Sequence, residues 1–438
     1  MKKKNRVVVV ALAVCLFGLA FLCGYATKNY TNPYRSLEWV LDIVGKNYVV
    51  YDEQTGKIKE YSVEDFTDAV VRQLLDRYSA YYTKEEYTDV VDSNEGNKYG
   101  VGLYFSANSD DAVILEVAGN SPAERAGIVA GGTIVSLIYQ GKTYPIGSYT
   151  DFAEALGLVP YEKDGTACFS LRVLYPGEES PISYELQREP YIEGEVWYRD
   201  SESSCAYLSK EVGEDPVLTE TENPLTALDG QTAYVRLASF MGQAYPQFVG
   251  VMEYMKERGR TSLILDLRGN GGGSMTILTG IARYLIQSDG ESRLNVAQAE
   301  YKDGSHQNFL SEPVLKESYV SGRIAVLADE NTASASECLI GAMLDYGTLS
   351  EKELIITRTD GVARTYGKGI MQTTYVNRPY GDALKLTTAY IYWPKSHTSI
   401  HGVGIRTTAE NGIQASGTFG IDAELNRALA VMCPQDNG

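Results

Sequence analysis

The sequence predicts an α/β multidomain protein, and three observations carry that reading. Two apolar runs of strand length, Leu263-Ile264-Leu265-Asp266-Leu267 and Ile324-Ala325-Val326-Leu327-Ala328, each lead into a small-residue loop and then into the apolar spacing of a buried helix. From about Tyr99 to Arg188 the pattern changes to short β runs punctuated by glycine. Ahead of these lies a region with helical spacing. The 438 residues allow two or three cores, and 44% hydrophobic with 22% charged residues is ordinary globular usage. A formal net charge of -18 excludes nucleic acid as a partner, because its phosphates would be repelled.

The chain begins with a basic tail, Met1 to Arg6, followed by 21 uncharged residues from Val7 to Thr27. That length spans a bilayer as a helix. The basic flank stays cytoplasmic, which places the remainder outside. A signal peptide starts the same way, but the apolar stretch is long and no clean A-x-A site follows, so an uncleaved anchor over residues 1–30 is expected. Leu37, Val40, Leu41 and Val44 then recur at helical spacing, and Ser62-x-x-Asp65 caps a second helix, giving a helical region over 31–96.

A β-rich domain is expected over 97–190. Gly100-Val101-Gly102-Leu103 precedes a strand, Val113 to Val117 is a second, and Ser121-Pro122 starts a short helix. Tyr191 to Gly230 is acidic and turn-rich and reads as a connection, with Val196-Trp197-Tyr198 as a strand. The core, taken as 191–438, then alternates: strand at Ala233 to Leu237, helix face at Phe248, Val251, Met252 and Met255, strand at Leu263, helix from Ile277 to Ile286, strand at Ile324. This predicts a parallel βαβ arrangement with loops at the strand C-terminal ends. A strand over Ala383 to Tyr390 and a helix over Ile421 to Met432 close the chain.

The histidines are His306, His397 and His401; none has metal-ligand spacing, and Pro394 and Gly402 make a loop of the last two. No metal and no cofactor are expected. Spacing leaves a Cys168–Cys205 disulfide open. Chemistry concentrates around Ser334, set by a small-residue turn at a helix N-terminus, where free N–H groups favour negative charge. Ser334-x-x-Glu337 also fits a capping box, and Lys368, between two glycines, is available as a partner.

Taken together, these motifs resemble the C-terminal processing (tail-specific) proteases. Ser334-Ala335-Ser336-Glu337 is similar to the family's S-A-S-E, Gly367-Lys368-Gly369-x-x-Gln372 to its G-K-G-x-x-Q, and Asp266-Leu267-Arg268-Gly269-Asn270-Gly271-Gly272-Gly273 to its D-L-R-x-N-x-G-G. Leu75 to Glu86 resembles its helical lead-in, and Ser399 to Ile405 resembles a further motif. The resemblance implies a ClpP/crotonase-like protease core with an inserted PDZ domain and the N-terminal helical segment packing on the core. It implies Ser334 as nucleophile, Lys368 as general base and Gln372 as the residue that positions the base. The oxyanion hole would come from Gly272 or Gly273 and Ala335, and the carboxylate-binding loop of the PDZ domain from Gly100, Val101, Gly102 and Leu103. Ser336 is the reserve nucleophile.

The expected activity is that of a single-pass, membrane-anchored serine endopeptidase of bacterial type with its catalytic part outside the cytoplasm. It would cut proteins near or from free C-terminal tails, the PDZ domain binding the tail and gating the site. A homo-oligomer or a regulatory partner stays open. The alternative is a membrane-anchored PDZ peptide-binding protein without activity. Two departures from the family pattern stand out. Gly131-Gly132-Thr133-Ile134 replaces G-D-x-I, and 34 positions separate Ser334 from Lys368, which fits an insertion over Thr348 to Ala363. Gln372 lies four residues from Lys368, about 13 Å away along a regular strand; direct contact needs a turn or bulge.

Overall fold

The computed structural model describes residues 34–47, 62–105, 110–160, 167–211, 214–287, 292–315, 317–415 and 422–433. The expected anchor over 1–30 and residue Ile421 lie outside the described residues. No helix among the described residues is long and apolar enough to cross a membrane. The chain divides into two compact units, residues 1–83 with 375–385 and residues 84–374 with 386–438.

The first unit carries helices α1 (Arg35–Asn47) and α2 (Val63–Leu74). In α1 the predicted spacing holds, while Leu37 and Val40 remain exposed. The cap of α2 is reciprocal, as its sequence requires: Ser62 Oγ accepts from the Asp65 N–H at 3.1 Å and the Asp65 carboxylate from the Ser62 N–H at 2.7 Å. The segment after α2 is not the helical lead-in its resemblance implies. The Asp76 carboxylate accepts from the N–H groups of Tyr78 and Ser79, which closes a turn. Strand β1 (Ala80–Tyr82) follows and pairs antiparallel with residues 383–385.

The second unit opens with α3 (Lys84–Asn94), β2 (Asn97–Gly100), β3 (Leu103–Tyr104), β4 (Glu116–Val117), α4 (Pro122–Arg125), β5 (Thr133–Tyr139), β6 (Lys142–Pro145), α5 (Tyr149–Gly157), β7 (Cys168–Leu174), β8 (Ile182–Gln187) and β9 (Glu189–Ile192). A sheet in the order β6-β5-β7-β8, with β3 paired to β4 and β2 to β9, encloses its own core of Ile114, Ile134, Leu137, Phe152, Phe169 and Leu171. The strand expected over Val113 to Val117 shortens to β4, with Val113 forming one bridge to Thr133. At the departing Gly131-Gly132 pair, a Cβ on Gly132 would lie 2.4 Å from a Val173 methyl, so the turn admits only glycine there.

Residues 191–230 are more than a connection. They form β10 (Val196–Arg199), β11 (Ser204–Leu208) and β12 (Val217–Thr221), an antiparallel flank of the main sheet. Tyr198 and Cys205 point inward and are buried, and Asp200 turns the hairpin by accepting from the Glu202 and Ser203 N–H groups. Turn chemistry and acidic composition hid a strand pair whose alternation is short. Cys168 and Cys205 are both free thiols, one exposed and one buried, so the disulfide left open by spacing does not form.

The remaining elements are β13 (Thr232–Leu237), α6 (Ala244–Glu257), β14 (Ser262–Asp266), α7 (Met275–Leu285), β15 (Arg293–Tyr301), β16 (His306–Pro313), β17 (Ile324–Ala328), α8 (Ala335–Asp345), β18 (Leu354–Thr359), β19 (Val362–Ala363), β20 (Ile370–Val376), β21 (Ala383–Tyr392), β22 (Gly412–Gln414) and α9 (Ala423–Met432). The main sheet runs β12-β11-β10-β13-β14-β17-β18-β19, with β22 beside β18. Its centre, β13 to β18, is parallel, as predicted from the strand–helix alternation. The segment read as an insertion supplies β18, whose Leu354, Ile355 and Ile356 are fully buried. It is part of the sheet rather than a lengthened surface loop.

Candidate active site

The site is assembled where β14 and β17 end. Asp329, just past β17, accepts from the N–H groups of Asn331 and Thr332 and also from that of Gly269 in the loop after β14. One carboxylate thus ties the two neighbouring loops. Five residues later the chain enters α8 at Ser334 with φ 57° and ψ −114°. Ser62, Ser121, Ser148 and Ser274 also begin helices, and all four have extended backbones, with φ between −71° and −148°. Ser334 alone among these is left-handed, a conformation that costs a non-glycine residue about 1–3 kcal/mol. Ordinary capping does not call for it.

The glycine loop packs directly on this turn. Asn270 is fully buried; its side-chain amide donates to the Leu237 carbonyl at 2.9 Å, and its own carbonyl accepts from the Ala333 N–H and the Ser336 hydroxyl. Ser336, the reserve nucleophile, is therefore a buried structural hydroxyl. Gly272, at φ 98°, comes so close that a Cβ would sit 2.8 Å from the Ala335 nitrogen and from Ser334 Cβ. The Gly272 N–H donates to Asn270 Oδ1 at 2.9 Å. Gly273 is bridged to Phe240 through the bonds Phe240 N–H to Gly272 O and Ser274 N–H to Phe240 O, neither of which uses its own N–H.

Lys368 lies in an irregular stretch between Gly367 and β20. Both flanking glycines press on the segment 400–404: a Cβ on Gly367 would be 2.8 Å from the Gly404 nitrogen, and one on Gly369 2.8 Å from the His401 nitrogen. Ser399 to Ile405 is thus the wall that shapes the lysine loop. Gln372 sits on β20, and its side-chain amide donates across the strand pair to Thr387 Oγ1 at 3.0 Å. His397 and His401 are in a loop, as predicted, against Tyr392 and Tyr390. Among the described residues no group of acidic, histidine or cysteine side chains is placed to hold a metal.

Glu337 joins the two halves. Fully buried in the first turn of α8, its Oε2 accepts from the Ser334 N–H and from the Lys368 N–H, each at 2.9 Å. Its Oε1 accepts from the Gly367 N–H at 2.8 Å and the Thr365 hydroxyl at 2.5 Å. Burial pushes this carboxyl above the ordinary range, and the four donors oppose the shift. The S-x-x-E spacing foreshadows the Ser334 bond; nothing local foreshadows the other three. Cys338, one residue on, is an inert thiol pushed up to about 12 by burial.

Gly100, Val101, Gly102 and Leu103 line a separate cavity of about 1130 Å³, together with Phe105 and Phe152. Ser334 and Lys368 are not among its lining residues. β3 pairs with β4 along one edge.

This arrangement of a parallel sheet, glycine loop and strained serine turn stands beside clear relatives. The profile of Peptidase family S41 matches residues 231–410. The chain is 22% identical over 372 residues to the carboxy-terminal processing protease CtpB of Bacillus subtilis, covering 84% of this chain and 67% of that protein. It is 25% identical over 346 residues to the carboxyl-terminal-processing protease of Synechocystis sp., covering 77% and 69%. The solved photosystem II D1 C-terminal processing protease shares the fold with a TM-score of 0.50 at 20% identity, over 94% of this chain and 96% of that one. An S41 protease structure from Bacteroides fragilis also matches, with a TM-score of 0.50 at 17% identity, over 90% and 96%. The chain is a serine-type peptidase. Residues 231–410, which carry the glycine loop, Ser334 and Lys368, are the part that matches Peptidase family S41.

Proposed function

We propose that this chain is a membrane-anchored, extracytoplasmic serine endopeptidase that cuts proteins near or from their C-terminal tails with a Ser334–Lys368 dyad. The observation that carries the dyad is the single Glu337 oxygen accepting from both the Ser334 and Lys368 backbone N–H groups, which sets the two residues on one support. A serine hydroxyl is a weak nucleophile and needs a base. Lys368 in its neutral form takes the Ser334 proton as the hydroxyl attacks the scissile carbonyl, then passes it to the leaving amine. Water completes the cycle by hydrolysing the acyl-enzyme. The developing oxyanion is received by the N–H groups of Gly273 and Ala335, since that of Gly272 is engaged by Asn270. Gln372 acts on the lysine loop from β20, anchored through Thr387.

Residues 97–190 fit a PDZ domain that captures the substrate tail. The cavity beside Gly100 to Leu103 and the outer edge of β3 suit an extended peptide whose carboxylate meets the glycine loop, with Phe105 and Phe152 taking an apolar side chain. Gating of the site by that domain and anchoring through residues 7–27 complete the reading, the latter resting on composition.

The test is cleavage of an unfolded protein with an apolar C-terminal tail, read by mass spectrometry. Ser334→Ala and Lys368→Ala should each abolish cleavage in a folded chain, and Gln372→Ala should weaken it. Gly102→Ala, whose Cβ would meet Ser121 Cβ at 2.1 Å, should lose tail binding. Full activity in Ser334→Ala overturns the assignment; tail binding with no cleavage by the wild type favours the inactive binding protein.

A further inference from the structure

We propose that Glu337 is a positioning residue for proteolysis, one buried carboxylate that holds the serine turn and the lysine loop in register. The inference rests on the Ser334–Lys368 reading. A helix cap would explain only the bond from the Ser334 N–H. The other three donors, Thr365, Gly367 and Lys368, come from 28 to 31 positions away and belong to the loop that presents the lysine. Glu337 touches no reacting atom, so it acts through the residues it holds.

The chemistry requires a carboxylate. All four lone-pair directions meet donors, so the ion is satisfied despite full burial. A glutamine of the same shape keeps one acceptor oxygen. Its amide N–H groups would face either the Ser334 and Lys368 N–H groups or the Gly367 N–H beside the Thr365 hydroxyl, so at least one backbone donor meets a donor. Either way one loop is pushed off. The left-handed backbone at Ser334 also persists only where its surroundings over-determine it. Thr365 is the outer link: its hydroxyl donates to Glu337 and accepts from the Ile405 N–H at 2.7 Å.

The experiment compares wild type, E337Q, T365V and T365S as full-length chains. It reads covalent labelling of Ser334 by a fluorophosphonate probe, and kcat and KM for cleavage of an unfolded protein. E337Q should lower kcat and the labelling rate by about 100-fold with KM changed less than about threefold, as a misplacement of the order of 1 Å does. T365V should lose about tenfold in kcat, and T365S, which keeps the hydroxyl, less than about twofold. A kcat in E337Q within about threefold of wild type overturns the proposal. If E337Q does not fold, the threonine pair decides, and equal kcat in T365V and T365S overturns it. A wild-type chain whose Ser334 does not label removes the dyad reading and this assignment with it; normal wild-type labelling matched by E337Q removes this assignment alone.

Discussion

Ser334 shows how one residue can break a local rule for a reason found elsewhere in the chain. Its spacing to Glu337 is that of a helix cap, yet its backbone is left-handed, and the glycine loop fills the space beside it. Gly272 makes that approach possible. With Gly272→Ala, a methyl would lie 2.7 Å from the Ala333 carbonyl and 2.8 Å from the Ala335 nitrogen, at a φ of 98°. We expect this variant to lose about 1–3 kcal/mol of stability, and about 100-fold in turnover. Calorimetry and the cleavage assay check the two effects. At this scale the sequence was informative about residue types. The serine, the lysine and the glycines could be read from short motifs. The three distant donors to Glu337 could not, because hydrogen bonds across about thirty residues leave no local pattern.

At the scale of elements, apolar continuity decided what could be read. The parallel strands β14 and β17 are buried on both faces, and their unbroken aliphatic runs, Leu263 to Leu265 and Ile324 to Ala328, fall where expected. Of the antiparallel flank, β10 was read at Val196 to Tyr198, but β11 and β12 did not stand out, because they are short and lie in an acidic, turn-rich stretch. β18 was mistaken for part of an insertion because the family's spacing was taken as the reference. Its burial makes a direct prediction. Ile356→Ala, at a fully buried site between β17 and β22, should cost about 2–5 kcal/mol in denaturant titration. A harmless surface insertion would show a change near zero.

For the whole molecule, the described residues are held together by contacts remote in sequence. Tyr81 and Asp382, 301 positions apart, share a hydrogen bond within the first unit. In the second, buried Asp266 accepts from Tyr234 and pairs with Arg268, which reaches Asp422 at the start of α9. Burial alone would raise the Asp266 carboxyl, but the Arg268 charge and hydrogen bonds, with Arg236 and Tyr234, hold it below its ordinary 3.8. A carboxyl depressed on folding stabilises the protein above its unfolded value and loses that contribution as pH falls through the folded one. Asp266→Asn should therefore cost about 3–5 kcal/mol at neutral pH, since it leaves buried arginine charge uncompensated. Denaturant titrations at several pH values should show the gap between variant and wild type narrowing below about pH 4; a gap that stays constant contradicts the ion pair. The tension at Ser334 also bears on how long the molecule lasts. Glycine adopts that backbone freely, so Ser334→Gly should melt later than the wild type by the equivalent of about 1 kcal/mol while being unable to cut anything. The working form is then the more perishable of the two, and heat would cull active copies before inert ones.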